Sequence, residues 1–99
     1  MTINKIMQHK KMTITLEGRL DTTTAPELQD TLITSFEKTD DITLDFTGLS
    51  YISSAGLRAL LAGHKTASAR NASLIITGVS EEILEVLNMT GFSGFLTIK

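Results

Sequence analysis

One stretch of the sequence places hydroxyl chemistry where a helix is about to begin: Tyr51-Ile52-Ser53-Ser54-Ala55-Gly56-Leu57-Arg58. It joins a predicted strand to a predicted helix, so Ser54, or Ser53, can serve as the helix N-cap. The first-turn amides of a helix have no partners within it, and Gly56 keeps this turn uncrowded. A phosphate on Ser54 would bring about −1.5 to −2 charges to the positive end of the helix dipole. The fold could carry either form of the serine without unfolding. A partner docking here would meet a new hydrated charge, and losing ~3 kcal/mol weakens affinity by about a hundredfold.

Other chemistries find less support. Ser54 lies outside any G-x-S-x-G elbow, and no histidine–acid pair can be assigned to it. His9 falls in a predicted turn. His64 shares a helical stripe with Leu57, Leu60 and Leu61 and reads as a core-edge residue. Neither histidine stands at metal-ligand spacing from an acid cluster. Asp45 near the end of a strand reads as structural or loop-facing. Arg58 is either a solvated first-turn residue or a contact for an acidic partner. There is no Walker loop and no G-x-G-x-x-G. No catalytic set, metal site or cofactor is expected, and the chain is not expected to be an enzyme.

The elements that position this stretch can be read from periodicity. Ile3 and Ile6 begin one strand, and Met12-Thr13-Ile14-Thr15-Leu16-Glu17-Gly18 alternates as a second, with a polar turn at Gln8-His9-Lys10-Lys11. This strand is expected to stop near Gly18 to Leu20, before the loop Asp21-Thr22-Thr23-Thr24. Thr24 and Glu27 form a T-x-x-E capping box with Pro26 in the first turn. Ala25, Leu28, Leu32 and Phe36 then recur at helical spacing until about Lys38 and Thr39. Ile42–Phe46 is a central strand. The second helix carries Leu57, Leu60, Leu61 and His64, with Ala62 and Ala67 beside them. Ser73–Thr77 is apolar in its middle, as expected of a strand covered on both faces. Ser80 caps a third helix bearing Ile83, Leu84, Val86 and Leu87, which Gly91 breaks. Met89-Thr90-Gly91-Phe92 reads as a C-cap with a buried aromatic, and Phe95–Ile98 as a short final strand.

The order β-β-α-β-α-β-α-β predicts an α/β fold: an opening hairpin, then parallel pairing, in a mixed four- to five-stranded sheet with helices packed on it. The 99 residues fit one domain, residues 1–99, whose core buries roughly 60–65% of the unfolded surface. A net charge of −2 lacks the basic excess of a nucleic-acid binder. Zero cysteines exclude disulfides and thiolate chemistry and fit a cytoplasmic location. The N-terminus lacks the apolar run of a signal peptide, so none is expected, and no stretch approaches the ~20 apolar residues of a membrane span.

Three blocks together resemble a known family. They are Gly18-Arg19-Leu20-Asp21 with Thr24-Ala25, then Leu44 through Leu57, then Leu87-Asn88-Met89-Thr90-Gly91-Phe92. Across nearly its whole length the chain is similar to a STAS domain of the bacterial anti-sigma factor antagonist type. Ser53 stands where that family often has aspartate, and Ala55 where it has a second serine, giving a Y-I-S-S-A-G-L variant.

The resemblance implies the STAS fold and a binding role. An unphosphorylated antagonist binds an anti-sigma factor that is also a serine-protein kinase, and so releases a sigma factor. Phosphorylation of the serine aligned with Ser54 (Ser53 being the second candidate) stops binding, and a PP2C-type phosphatase reverses it. Asp21 becomes an expected partner contact, with Thr22 and Thr23 beside it and Ser53, Ser54, Ala55, Gly56, Leu57 and Arg58 across from it. The alternative within this fold is a constitutive, unphosphorylated interaction module of a transporter or larger signalling complex.

Overall fold

The computed structural model describes residues 1–99. Strands β1 (Thr2–Gln8) and β2 (Lys11–Leu20) form the antiparallel hairpin, with Gln8 opposite Lys11. His9 and Lys10 make the turn with φ of 53° and 68°. Both positive values match the twist of the flanking strands, although neither residue favours them. The buried Thr39 hydroxyl donates to the Lys10 carbonyl and ties the hairpin to the loop before β3.

Helix α1 (Ala25–Ser35), strand β3 (Asp41–Ile52), helix α2 (Ser54–Ala69), strand β4 (Ser73–Thr77), helix α3 (Glu81–Met89) and strand β5 (Thr97–Ile98) follow. The five strands lie in the order β1-β2-β3-β4-β5, and every pair after the hairpin is parallel. The α/β class, the element order and the mixed sheet therefore stand as the sequence implied, with five strands.

Each crossover steps one strand further in the same direction. Right-handed crossovers of that kind put all the helices on one face of the sheet. Burial agrees. Met12, Ile14, Leu16, Ile42, Leu44, Phe46, Leu74 and Ile76 are buried under the helices with Leu28, Leu32, Phe36, Leu60 and Leu87. The alternate positions form rows on the other face: Thr13, Thr43, Ile75 and Thr97 in one, Thr15, Asp45 and Thr77 in the next. The expectation that β4 is covered on both faces is thus corrected, since Ile75 is only half-buried. A short apolar run shows no alternation and cannot report a single open face.

β3 runs past the alternating stretch Ile42–Phe46 and continues to Ile52. The ladder between β2 and β3 shifts register between Thr15 and Glu17 and again at Gly18–Arg19, where Gly18 has φ 106°. These bulges carry β2 to Leu20, within the Gly18 to Leu20 limit expected for it. The Ser50 hydroxyl holds the irregular stretch by donating to the Gly18 carbonyl at 3.0 Å. Asp45 has a structural role. Its Oδ1 accepts from the Thr47 hydroxyl at 2.6 Å and the Thr47 amide at 2.9 Å, which holds its carboxyl below the usual range. Gly78, with φ 69°, packs on this turn, and a Cβ there would lie 2.8 Å from Asp45 Oδ1.

The helix ends differ in part from expectation. Ser80 caps α3 by accepting from the Ile83 amide at 3.3 Å. Gly91 ends that region with φ 82°. Ile83 and Leu87 are buried, whereas Leu84 is exposed. Phe92 is half-buried rather than buried. A short 3₁₀ turn (Phe92–Gly94) carries it to the rim, where it meets Phe95 at 4.9 Å, and Phe95 meets His64 at 4.9 Å. His64 is half-buried at the core edge, as its spacing implied.

Replacing the turn by His9→Asn with Lys10→Gly should stabilise the fold by about 1–2 kcal/mol, because both new residues accept positive φ more readily. A higher urea midpoint at unchanged slope is the expected result.

Candidate partner-binding surface

β2 and β3 are parallel neighbours, so the loops that follow them emerge side by side. Leu20 pairs with Ile52, and the Ser53 amide then donates to the Leu20 carbonyl at 2.9 Å. This bond sets Asp21, the next residue on one chain segment, beside Ser53 and Ser54 on the other. A Cβ on Gly56 would lie 2.7 Å from Leu20 Cγ, 2.9 Å from Ile52 Cγ1 and 3.0 Å from the Leu20 carbonyl oxygen. Only glycine lets the first turn of α2 sit this close to the end of β2.

The two serines have separate positions. Ser53, with φ −102° and ψ 175°, is the N-cap, and its hydroxyl accepts from the Gly56 amide at 3.3 Å. Ser54 is the first helical residue and is exposed, with its hydroxyl outside this capping bond. The alternative that Ser54 is the cap is thereby corrected. Capping requires the extended backbone conformation, and the bond to Leu20 gives that conformation to Ser53.

Asp21 is fixed by its own loop. Its Oδ1 accepts from the Thr23 hydroxyl at 2.8 Å, the Thr23 amide at 3.0 Å and the Thr24 amide at 3.2 Å. The Thr23 hydroxyl, with these amides and the Thr24 hydroxyl, holds the Asp21 carboxyl below its ordinary value of 3.8. This is an Asx-type turn. It also displaces the capping box expected at Thr24. The Thr24 hydroxyl accepts from the Asp21 amide at 2.8 Å and donates to the Arg19 carbonyl at 2.8 Å, and it makes no cap bond to α1. The Asp21 carboxylate takes the Thr24 amide that Glu27 would have bonded, and the Asp21 amide takes the Thr24 hydroxyl that would have capped α1. Arg19 completes the cluster, 4.1 Å above the Tyr51 ring and 3.9 Å from Asp21 Oδ2.

Beside Ser54 lies an open groove of about 450 Å³ between α1 and the first turn of α2. Thr22, Ala55 and Arg58 line it from the expected site, so these three come together with Ser54. Gly56 and Leu57 do not reach the surface and support it from beneath. Thr23 is exposed and serves Asp21. The groove's other wall went unread in the sequence. Pro26, Gln29, Asp30 and Ile33 form it, spaced i, i+3, i+4 and i+7 on α1. Ile33 at 37% exposure is the signal that could have found it, an apolar residue off the core stripe of Leu28 and Leu32.

His64 stands about 15 Å down the α2 axis from Ser54, and His9 lies at the opposite end of the strands. No group of three His, Asp or Glu side chains that could hold a metal forms anywhere in the fold.

Two measurements test this arrangement. Asp21 should titrate below 3.8 by carboxyl NMR, and Thr23→Val should move it upward. The folded value lies below the unfolded one, so this contribution to stability is present above the unfolded pKa. It is lost as pH falls through the folded value. Gly56→Ala should destabilise by about 1–3 kcal/mol in urea unfolding, through overlap with Leu20 and Ile52.

The STAS domain profile matches residues 2–99. The anti-sigma-B factor antagonist of Listeria monocytogenes is 28% identical over 87 residues, covering 87% of this chain and 76% of that one. The anti-sigma-B factor antagonist of Staphylococcus epidermidis is 30% identical over 82 residues, covering 82% of this chain and 76% of that one. The phosphorylated form of the Bacillus cell fate determinant SpoIIAA superposes with a TM-score of 0.77 at 19% identity, over 99% of this chain and 91% of its own, which shows a shared fold. With the profile spanning all but the first residue, the chain belongs to the STAS domain family.

Proposed function

We propose that this protein is an anti-sigma factor antagonist that acts by binding, and that Ser54 is its switch. The unphosphorylated protein binds an anti-sigma factor with serine-protein kinase activity and so releases a sigma factor. Phosphorylation of Ser54 ends the interaction, and a PP2C-type phosphatase restores it. This chemistry takes place in the cytoplasm, and no helix is long and apolar enough to cross a membrane. The relatives' names support the antagonist role, and a phosphorylated form of one structural neighbour supports the modification.

The observation that carries the reading is the division between the two serines. Ser53 is occupied as the cap, while the adjacent Ser54 is exposed next to Ala55, which lines the groove with Thr22 and Arg58. A phosphate at Ser54 leaves the cap intact and places its charge where a partner would dock. Ser53 is the poorer acceptor, since modifying it would disturb the bond to Gly56.

Incubation with the cognate kinase and ATP should give a single phosphate on Ser54 by peptide mapping, and its absence with an active kinase would refute the switch. Ser54→Asp should weaken binding to the anti-sigma factor by about a hundredfold, equivalent to ~3 kcal/mol, while Ser54→Ala keeps it. Equal affinities of the two variants in calorimetry would contradict the proposal.

A further inference from the structure

We propose that Arg58 is a positioning residue for the modified form: it pairs with a phosphate on Ser54 and in doing so leaves the groove it lines in the unmodified protein. The inference rests on the reading of Ser54 as the phosphate acceptor. It concerns what this chain's own residues do once the phosphate is in place.

Ser54 and Arg58 are both exposed on α2 and stand four residues apart, which stacks them on one helix face. Direction matters as much as spacing. Side chains on a helix lean toward its N-terminus, so the long Arg58 side chain extends over the turn that carries Ser54. An anion N-terminal to a cation at this spacing is also the favourable orientation. A guanidinium presents a planar fork of N–H donors that matches phosphate oxygens in a bidentate pair.

Arg58 is free to take this role. The ion pairs of the fold are Lys11 with Asp41 and Arg19 with Asp21, and Arg58 belongs to neither. Arg19, the other cation near this surface, is held over the Tyr51 ring. In the unmodified protein Arg58 lines the groove that Asp30 and Ile33 line from α1, with no ion pair to Asp30 within 4.0 Å. Drawing Arg58 up to the phosphate removes a positive charge from that groove while a negative one appears beside it. One modification therefore alters two parts of the docking surface.

The test installs phosphoserine at position 54 during translation, which makes it independent of any kinase. The phosphate is then titrated by ³¹P NMR in the otherwise unchanged protein and in Arg58→Ala and Arg58→Lys variants. A phosphoserine monoanion ordinarily loses its proton near pH ~6. Arg58→Ala should raise this midpoint by about 0.3–0.7 of a pH unit, and Arg58→Lys should recover part of the difference. The Arg58 Nε–H resonance should shift with the same midpoint. Equal midpoints for all three proteins, with no coupled Arg58 shift, would overturn the pairing and leave the assignment of Ser54 standing. A kinase that ignores Ser54 would do the reverse.

Discussion

The bond from the Ser53 amide to the Leu20 carbonyl is the contact on which the surface depends. It is the last rung between β2 and β3, made just beyond the regular ladder. Without it the two loops would leave the sheet independently, and nothing would fix Asp21 relative to Ser54. The same bond holds Ser53 in the extended conformation that a cap requires. Gly56 is its steric counterpart, since any side chain there would push α2 away from Leu20. A backbone hydrogen bond and a missing Cβ thus place a carboxylate, a hydroxyl and a groove on one edge of the protein. Because this placement comes from the main chain and the buried residues, the exposed side chains are left free for recognition.

Charge at this edge is also arranged locally. Asp21 takes hydrogen bonds from its own loop, led by the Thr23 hydroxyl, which lower its pKa. Arg19 is shared between that carboxylate and the Tyr51 ring. This edge therefore presents a fixed acid and a neutral serine, with Arg58 a cation outside both ion pairs of the fold.

Much of this was legible in the sequence because hydrophobic periodicity reports which face of an element is buried. The alternation of Met12, Ile14 and Leu16 and the stripe of Ala25, Leu28, Leu32 and Phe36 all lie in the core as read. Local patterns failed where two groups competed for one role. Thr24 and Glu27 had the letters of a capping box, but the Asp21 carboxylate and amide take the Thr24 amide and hydroxyl that the box needs. Ser53 and Ser54 were both plausible caps, and only a contact with a residue more than thirty positions away separates them. The apolar middle of β4 suggested cover on both sides, because a run of five residues does not record how the crossovers are arranged. The Asp30 and Ile33 wall of the groove was missed for a related reason. A second stripe on α1 has meaning only once α2 is known to lie beside it.

The consecutive strand order has a consequence for how the protein forms. Every strand pairs with its neighbour in sequence, so no segment must wait for a distant one before it can join the sheet. Only the hairpin closes a short loop; each later parallel pair forms across a helical crossover, whose closure entropy must be met before the strands can pair. The hairpin can serve as a template, and each helix–strand unit can add to the edge left by the previous one as the chain emerges from the ribosome. The two-residue strand β5 comes last and closes the final edge. Assembly in that order has the serine-bearing turn in place once β3 and α2 have joined, before the last third of the chain is needed.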